Sequence, residues 1–310
     1  MGVVHVLAVL AAALLFGTTG TSQALGPEGT TPLSLGVIRM VIGGTGLAII
    51  AFALAARHRR REPQATRPRL TAGPLALMVL TGLCLALYQP LFFLGTERNG
   101  VAVATMVALG SAPILAGVLE WALTRKLPSP TWMVATALAT AGVVLLGFGG
   151  AADAGGTDPV GLLGSIGAGA CFAVIANAQR RLLDAGWDPF TVVGAMGASS
   201  AILFAVVLPF VDVSWVATPS GIVVALWLGL ATISVAYVLF TWGLSGLTAA
   251  TAATLTLGEP LTASVLGIVV LGERLSVLAI LGLVVLAVGL ALLAWGSRSA
   301  RDPRPFAVEG

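Results

Sequence analysis

Apolar residues dominate this chain in long blocks. They are broken only where charges, Pro/Gly clusters and short polar runs coincide. Read by that punctuation, the pattern predicts ten helices, at about 3–24, 33–55, 73–94, 100–123, 131–149, 160–179, 190–210, 220–242, 247–271 and 275–296. Many blocks approach the ~20 apolar residues needed to cross a bilayer's hydrocarbon core. The expected fold class is an all-α integral membrane protein with ten transmembrane helices. The first block precedes "TTGTSQALG", as a signal peptide's core might, but it is long and has no basic stretch before it. It is read as a retained helix.

Composition strengthens this picture. Of the 310 residues 57% are hydrophobic and 9% charged, against about 25% charged in a soluble domain. The basic residues sit between helices, so the net charge of +3 reflects membrane orientation and implies no nucleic-acid partner. With the N-terminus cytoplasmic, inside loops and tail hold Arg57, Arg59, Arg60, Arg61, Arg67, Arg69, Arg125, Lys126, Arg180, Arg181, Arg298, Arg301 and Arg304. Outside loops hold only Arg98 and Arg274. That asymmetry obeys the positive-inside rule and puts both termini in the cytoplasm. Cys84 and Cys171 lie inside apolar runs and read as small buried hydrophobes. One Lys against fifteen Arg suggests a high-GC bacterial genome, hence a multi-pass protein of the bacterial plasma (inner) membrane.

Residues 100–148 overlay residues 247–295 at a shift of 147, pairing Pro113 with Pro260, Ala102 with Ala249 and Gly142 with Gly289. Five spans per half is an odd number, so the halves must insert with opposite topology. Such inverted repeats build many secondary transporters, with the substrate near the midplane between them. The expected organisation is a first repeat over 1–149, a joining loop over 150–159, a second repeat over 160–296 and a cytoplasmic tail over 297–310.

Few ionisable groups fall inside the spans: His5, Arg39, Glu120 and Glu259. Such groups are costly in lipid and point to function by default. Glu259 precedes Pro260, about twelve residues into its helix and therefore near mid-membrane. Pro260 lacks an N–H and frees a backbone carbonyl, and Thr254, Thr256 and Thr262 add hydroxyls nearby. The functional reading is a group that binds a substrate amine or takes up a proton. The alternative is a neutral carboxyl hydrogen-bonded to a neighbouring helix. Tyr88, Gln89, Tyr237, Thr18, Thr256 and Asn177 complete the candidate substrate-binding set, with Pro113 and Pro260 as helix breaks. Arg39 reads as a residue snorkelling to the headgroups, and Glu120 as the local partner of Arg125. Glu97–Arg98 and Glu273–Arg274 read as outer hairpin tips. Trp121, Trp132, Trp187, Trp215 and Trp295 read as interfacial belt residues.

All six Asp residues fall outside the proposed spans, and no Ser–His pair, metal-ligand cluster or "GxxxxGK[ST]" phosphate loop is present. The chain is therefore read as no enzyme, with no cofactor and no metal.

"LGEPLTASVLGIVVLGERLSVLAILGLVVLAVGLALL", with weaker echoes in "IRMVIGGTGLAI" and "FGTTG", resembles the EamA-type group of the drug/metabolite transporter superfamily over nearly the whole chain. The first half departs from the pattern, with Ala112-Pro113 where the second has Glu259-Pro260. The resemblance implies a ten-helix carrier of two inverted five-helix repeats, its cavity lined mainly by helices 1, 3, 4, 6, 8 and 9. It also implies export of a small metabolite such as an amino acid. The expected function is secondary active transport by alternating access at a midplane cavity. The partners are a small-molecule substrate, the lipid bilayer and, as a candidate coupling ion, the proton; the sequence leaves the oligomeric state open. The alternatives are a non-transporting membrane protein, such as a lipid-handling enzyme or assembly scaffold, and a channel-like facilitator.

Overall fold

A computed structural model describes residues 2–61, 68–150, 158–272 and 274–299. These residues are helical almost throughout, because in lipid a backbone must satisfy its own hydrogen bonds. The helices are α1 (Gly2–Ala24), α2 (Pro32–Arg61), α3 (Ala72–Thr124), α4 (Pro130–Gly150), α5 (Pro159–Asp184), α6 (Pro189–Val207), α7 (Pro219–Leu226), α8 (Ala236–Leu244), α9 (Ala249–Leu255), α10 (Gly258–Leu271) and α11 (Val277–Ser299). Nine helices among the described residues are long and apolar enough to cross a membrane. Three starts follow one recipe, with Pro in the first turn and Asp158, Asp188 or Thr218 capping α5, α6 or α7 through its side chain.

Two helices depart from the spans read in the sequence. The third and fourth spans form one continuous element, α3, of 53 residues, which laid straight would run about 80 Å, far beyond a bilayer core. It folds back at Gly100, whose φ of 78° and ψ of 160° are not helical. A Cβ built on Gly95 would lie 3.2 Å from the Cβ of Ala104, whereas residues nine apart in a straight helix are about 13 Å apart. The polar run "GTERNG" is therefore helical up to the single glycine that turns it. The ninth span is divided into α9 and α10 at Thr256–Leu257.

The loop expected over 150–159 falls mostly outside the described residues, as do Glu273, Arg67 and the tail beyond 299. Arg98 does not stand free at its hairpin tip. It pairs with Asp158 at 3.2 Å, while Asn99 donates to the Asp158 carbonyl at 3.0 Å and accepts its N–H at 2.6 Å. Asp158 accepts the Val160 and Gly161 N–H groups. These bonds and Arg98 hold its carboxyl below the usual aspartate range. Trp121 and Trp295 are exposed as belt residues should be. Trp215 is not: it is buried, and its Nε1 donates to Ser34 Oγ at 3.1 Å. Trp132 likewise turns inward, donating to Thr254 Oγ1 at 3.1 Å.

A reciprocal contact relates the two halves. A Cβ built on Gly142 of α4 would lie 2.5 Å from Leu286 N of α11, and one on Gly289 of α11 would lie 2.7 Å from Ala139 N of α4. Shifting both residues of the first contact by 147 gives the second. The same element pair thus meets itself across a pseudo-two-fold axis, and glycine permits the close backbone approach.

Candidate functional site

The ninth span is divided by the chemistry of Pro260. Proline has no N–H to give Thr256, so the Glu259 N–H takes that carbonyl in a tight bond of 2.9 Å, and Leu257 N–H bonds Thr254 O at 3.0 Å. The α-helical ladder stops after Leu255 and restarts at Gly258. Glu259 is left on the first turn of α10, about 18 Å along the axis from Leu271, and its side chain faces a cavity.

That cavity has a volume of ≈ 600 Å³. It reaches from the end of the molecule marked by the Gly100 turn, the α1 C-terminus and Leu271 down to Arg39, Tyr88, Gln89 and Glu259. Adjoining its inner end is a smaller chamber of ≈ 60 Å³, which Ala112, Phe172, Tyr237 and Thr256 also line. Phe16, Arg39, Tyr88, Gln89, Leu109 and Glu259 line both spaces and form the partition between them. Tyr88 stacks on Phe92 with centroids 5.9 Å apart, and Tyr237 meets Phe16 edge-on at 5.2 Å. The partition is thus a guanidinium and a carboxyl group set among aromatic rings.

Arg39, read from the sequence as snorkelling to the headgroups, instead points into this site. Its Nη2 reaches only Thr19 Oγ1, at 3.5 Å, and its Nε is buried with no hydrogen-bond partner. Among the described residues no carboxylate lies within ion-pair distance of it, though Glu259 is within electrostatic range. The guanidinium is a planar fork of donors suited to a carboxylate, and here the fork is largely unfilled. The signal for it was available in the sequence as an arginine one third of the way into an apolar span.

The helix opposite is shaped for the same site. Between α7 and α8 the residues Trp227–Val235 form a π-helical segment, a widened turn that often marks functional sites. Ser234 donates to Gly43 O of α2 at 2.8 Å, one turn beyond Arg39. This contact sets Ile233 and Tyr237 against the chamber.

Of the sequence candidates, the structure brings Glu259, Tyr88, Gln89, Tyr237 and Thr256 together here. It places two elsewhere. Thr18 accepts a hydrogen bond from Trp227 Nε1 at 3.0 Å, and its neighbour Thr19 lines the cavity instead. Asn177 donates to Ala116 O and Ala173 O at 3.1 and 3.0 Å, tying α5 to α3. Of the two expected helix breaks, Pro260 interrupts its span and lines the open cavity, whereas the related Pro113 lies buried inside α3, which runs through it unbroken. Ala112, the pseudo-symmetric counterpart of Glu259, lines the chamber, so only one repeat contributes an acid. Glu120 does not serve Arg125. It reaches across to Ala250, accepting its N–H at 2.7 Å.

A larger groove of ≈ 760 Å³ between the second limb of α3 and α4 is lined by Ile114, Trp121, Met133 and other mainly apolar residues, with no ionisable group. It carries no chemistry comparable with the Arg39–Glu259 partition. Among the described residues no group of three or more His, Cys, Asp or Glu forms a metal-binding cluster.

The family model for the EamA-like transporter family matches the chain twice, over residues 4–148 and 159–295. An uncharacterized transporter of Bacillus subtilis (strain 168), YwfM, is 39% identical over 300 residues, covering 97% of each chain. A crystal structure 19% identical in sequence superposes with a TM-score of 0.76 over 96% of this chain and 99% of its own, a likeness of fold.

Proposed function

Because the chain belongs to the EamA-like transporter family, we propose that it is a secondary carrier of the bacterial plasma (inner) membrane, exporting a small metabolite such as an amino acid. The observation that carries this reading is the cavity that ends mid-membrane on Arg39 and Glu259. An amino acid offers a carboxylate for Arg39 and an ammonium for Glu259. The rings of Phe16, Tyr88 and Tyr237 supply apolar contact and π-faces for a cation. Each charged residue would gain from substrate what the protein itself leaves incomplete.

With the Arg- and Lys-rich ends cytoplasmic, the open cavity faces the exterior and the chamber lies toward the cytoplasm. Alternating access would exchange the two spaces around the partition. Glu259 is the candidate proton carrier, since substrate amine and proton compete for one carboxylate. Purified protein in proteoliposomes loaded with a panel of labelled amino acids tests this reading through counterflow. Glu259→Gln is expected to cut the exchange rate at least tenfold and to flatten its pH profile. Equal rates with an unchanged pH profile would remove Glu259 from the mechanism.

A further inference from the structure

The end of the molecule opposite the cavity mouth is closed by a small set of charge-assisted bonds onto one loop. Ser245–Thr248 joins α8 to α9, and two first-order cationic and anionic contacts hold it from either side. Arg180 of α5 aims Nη1 at the carbonyls of Leu244 (3.1 Å), Ser245 (3.5 Å) and Leu247. Its Nη2 is fixed by Asp184 at 2.8 Å, one turn further along. From α3, the Glu120 carboxylate accepts the Ala250 N–H in the first turn of α9. Beneath these bonds Ala116 of α3, Ala173 of α5 and Ala253 of α9 meet in a buried seam of methyl groups.

Three features make this arrangement reversible. Bonds between a charged side chain and backbone are stronger than neutral ones, yet at a helix end water can replace both partners when they part. The buried members of the seam are alanines, with Leu115 and Phe172 packed at its edge, so small side chains part there, together with the bonds that Trp132 and Thr136 make to Thr254 of α9. And α9 is a short half-helix, detached from α10 by the interruption that Pro260 imposes, so it can swing without carrying α10 rigidly with it.

We propose that Glu120 and Arg180 form a latch that holds the α8–α9 loop and α9 shut while the opposite cavity is open. Release of the latch, with a pivot at Thr256–Pro260, opens a path from this end to the chamber. The proposal rests on the carrier reading above, and adds to it the two residues that set the balance between its conformations. Neither touches the cavity, so both act by positioning.

The test uses full-length protein in membrane vesicles, with Cys84 and Cys171 replaced by alanine and one reporter cysteine in each sample. Ala253→Cys reports on the closed seam and Ser264→Cys on the open cavity; each is reacted with a membrane-impermeant maleimide applied to each side. Losing one or two charge-assisted bonds is expected to shift the conformational balance about tenfold. Glu120→Ala and Arg180→Lys should therefore raise the labelling rate of Ala253→Cys about tenfold and lower that of Ser264→Cys. Arg180→Lys keeps the positive charge but not the fork that holds the carbonyls through Nη1 and Asp184 through Nη2, so it guards against a folding defect. Glu120→Gln, which keeps an acceptor for Ala250 but loses the charge, should fall between the parental and Glu120→Ala rates. Parental rates at both reporters in folded Glu120→Ala and Arg180→Lys would overturn the latch. They would leave the carrier reading standing, because that reading is tested separately by counterflow.

Discussion

Arg39 and Glu259 share one partition, and what each lacks defines the ligand it can take. A guanidinium with an unpartnered Nε keeps its position only where cavity water or a ligand compensates the charge. Arg39→Gln should therefore weaken the response to amino acids bearing a free carboxylate and leave their carboxamides little changed, which competition of each series in counterflow would show. Asp158 gives a residue-scale prediction outside the membrane. Its carboxyl is held below the ordinary value of 3.8, so its stabilising bonds are present in full above about pH 4 and fade as pH falls through its lower folded value. Asp158→Ala should lower the thermal unfolding temperature at pH 7, and the gap from the parent protein should narrow at pH 3. A gap that stayed constant would assign the effect to something other than the ionised carboxylate. At this scale the sequence was partly legible. Glu259, Tyr88 and Gln89 stand at the cavity and Tyr237 and Thr256 at the chamber beside it, while Thr18 and Asn177 are spent on helix contacts. The reason is physical: helices apolar on every side carry no polar stripe, so nothing in the pattern fixes which way a given residue points. Proline and acid together broke that degeneracy only at Glu259–Pro260.

Helix edges were legible to within a few residues because charges and prolines mark the membrane boundary. What the sequence left open was how each interruption would be built. At "GTERNG" the polar run looked like a loop, but the helix continues through it, and the turn is made at Gly100 alone. Gly100→Ala should destabilise the α3 hairpin by about 1–2 kcal/mol, since a Cβ opposes a positive φ; unfolding in a denaturing detergent series would measure this. At "LGEPL" the break expected at Pro260 is present, and the span becomes two half-helices because Pro260 diverts one hydrogen bond, whereas at Pro113 the helix continues. The π-helical segment over Trp227–Val235 left no distinctive mark in the sequence: "WLGLATISV" mixes apolar, small and hydroxyl residues as many membrane spans do, and only packing against α2 reveals it.

For the molecule as a whole, the repeat was legible in coincident prolines and glycines, and the α4–α11 contact expresses it in space. Gly142 and Gly289 occupy equivalent positions across the pseudo-two-fold axis, so Gly142→Leu and Gly289→Leu should each cost about 1–3 kcal/mol by overpacking. A large difference between them in the same unfolding assay would argue against equivalent roles. The symmetry is broken where function would need it to be: Glu259 has only Ala112 as its counterpart. If the chain works by alternating access, one cavity, ending on Arg39 and Glu259, is reached from each side of the membrane in turn. Leu109 lines both the open cavity and the chamber. The most direct test is therefore the reaction of Leu109→Cys, in the background lacking native cysteines, with a small membrane-impermeant thiosulfonate applied separately to each side. Alternating access requires modification from both sides, faster from the side of the Gly100 turn, with Arg180→Lys narrowing the difference. Modification from one side only, in the parent protein and in Arg180→Lys alike, would contradict it.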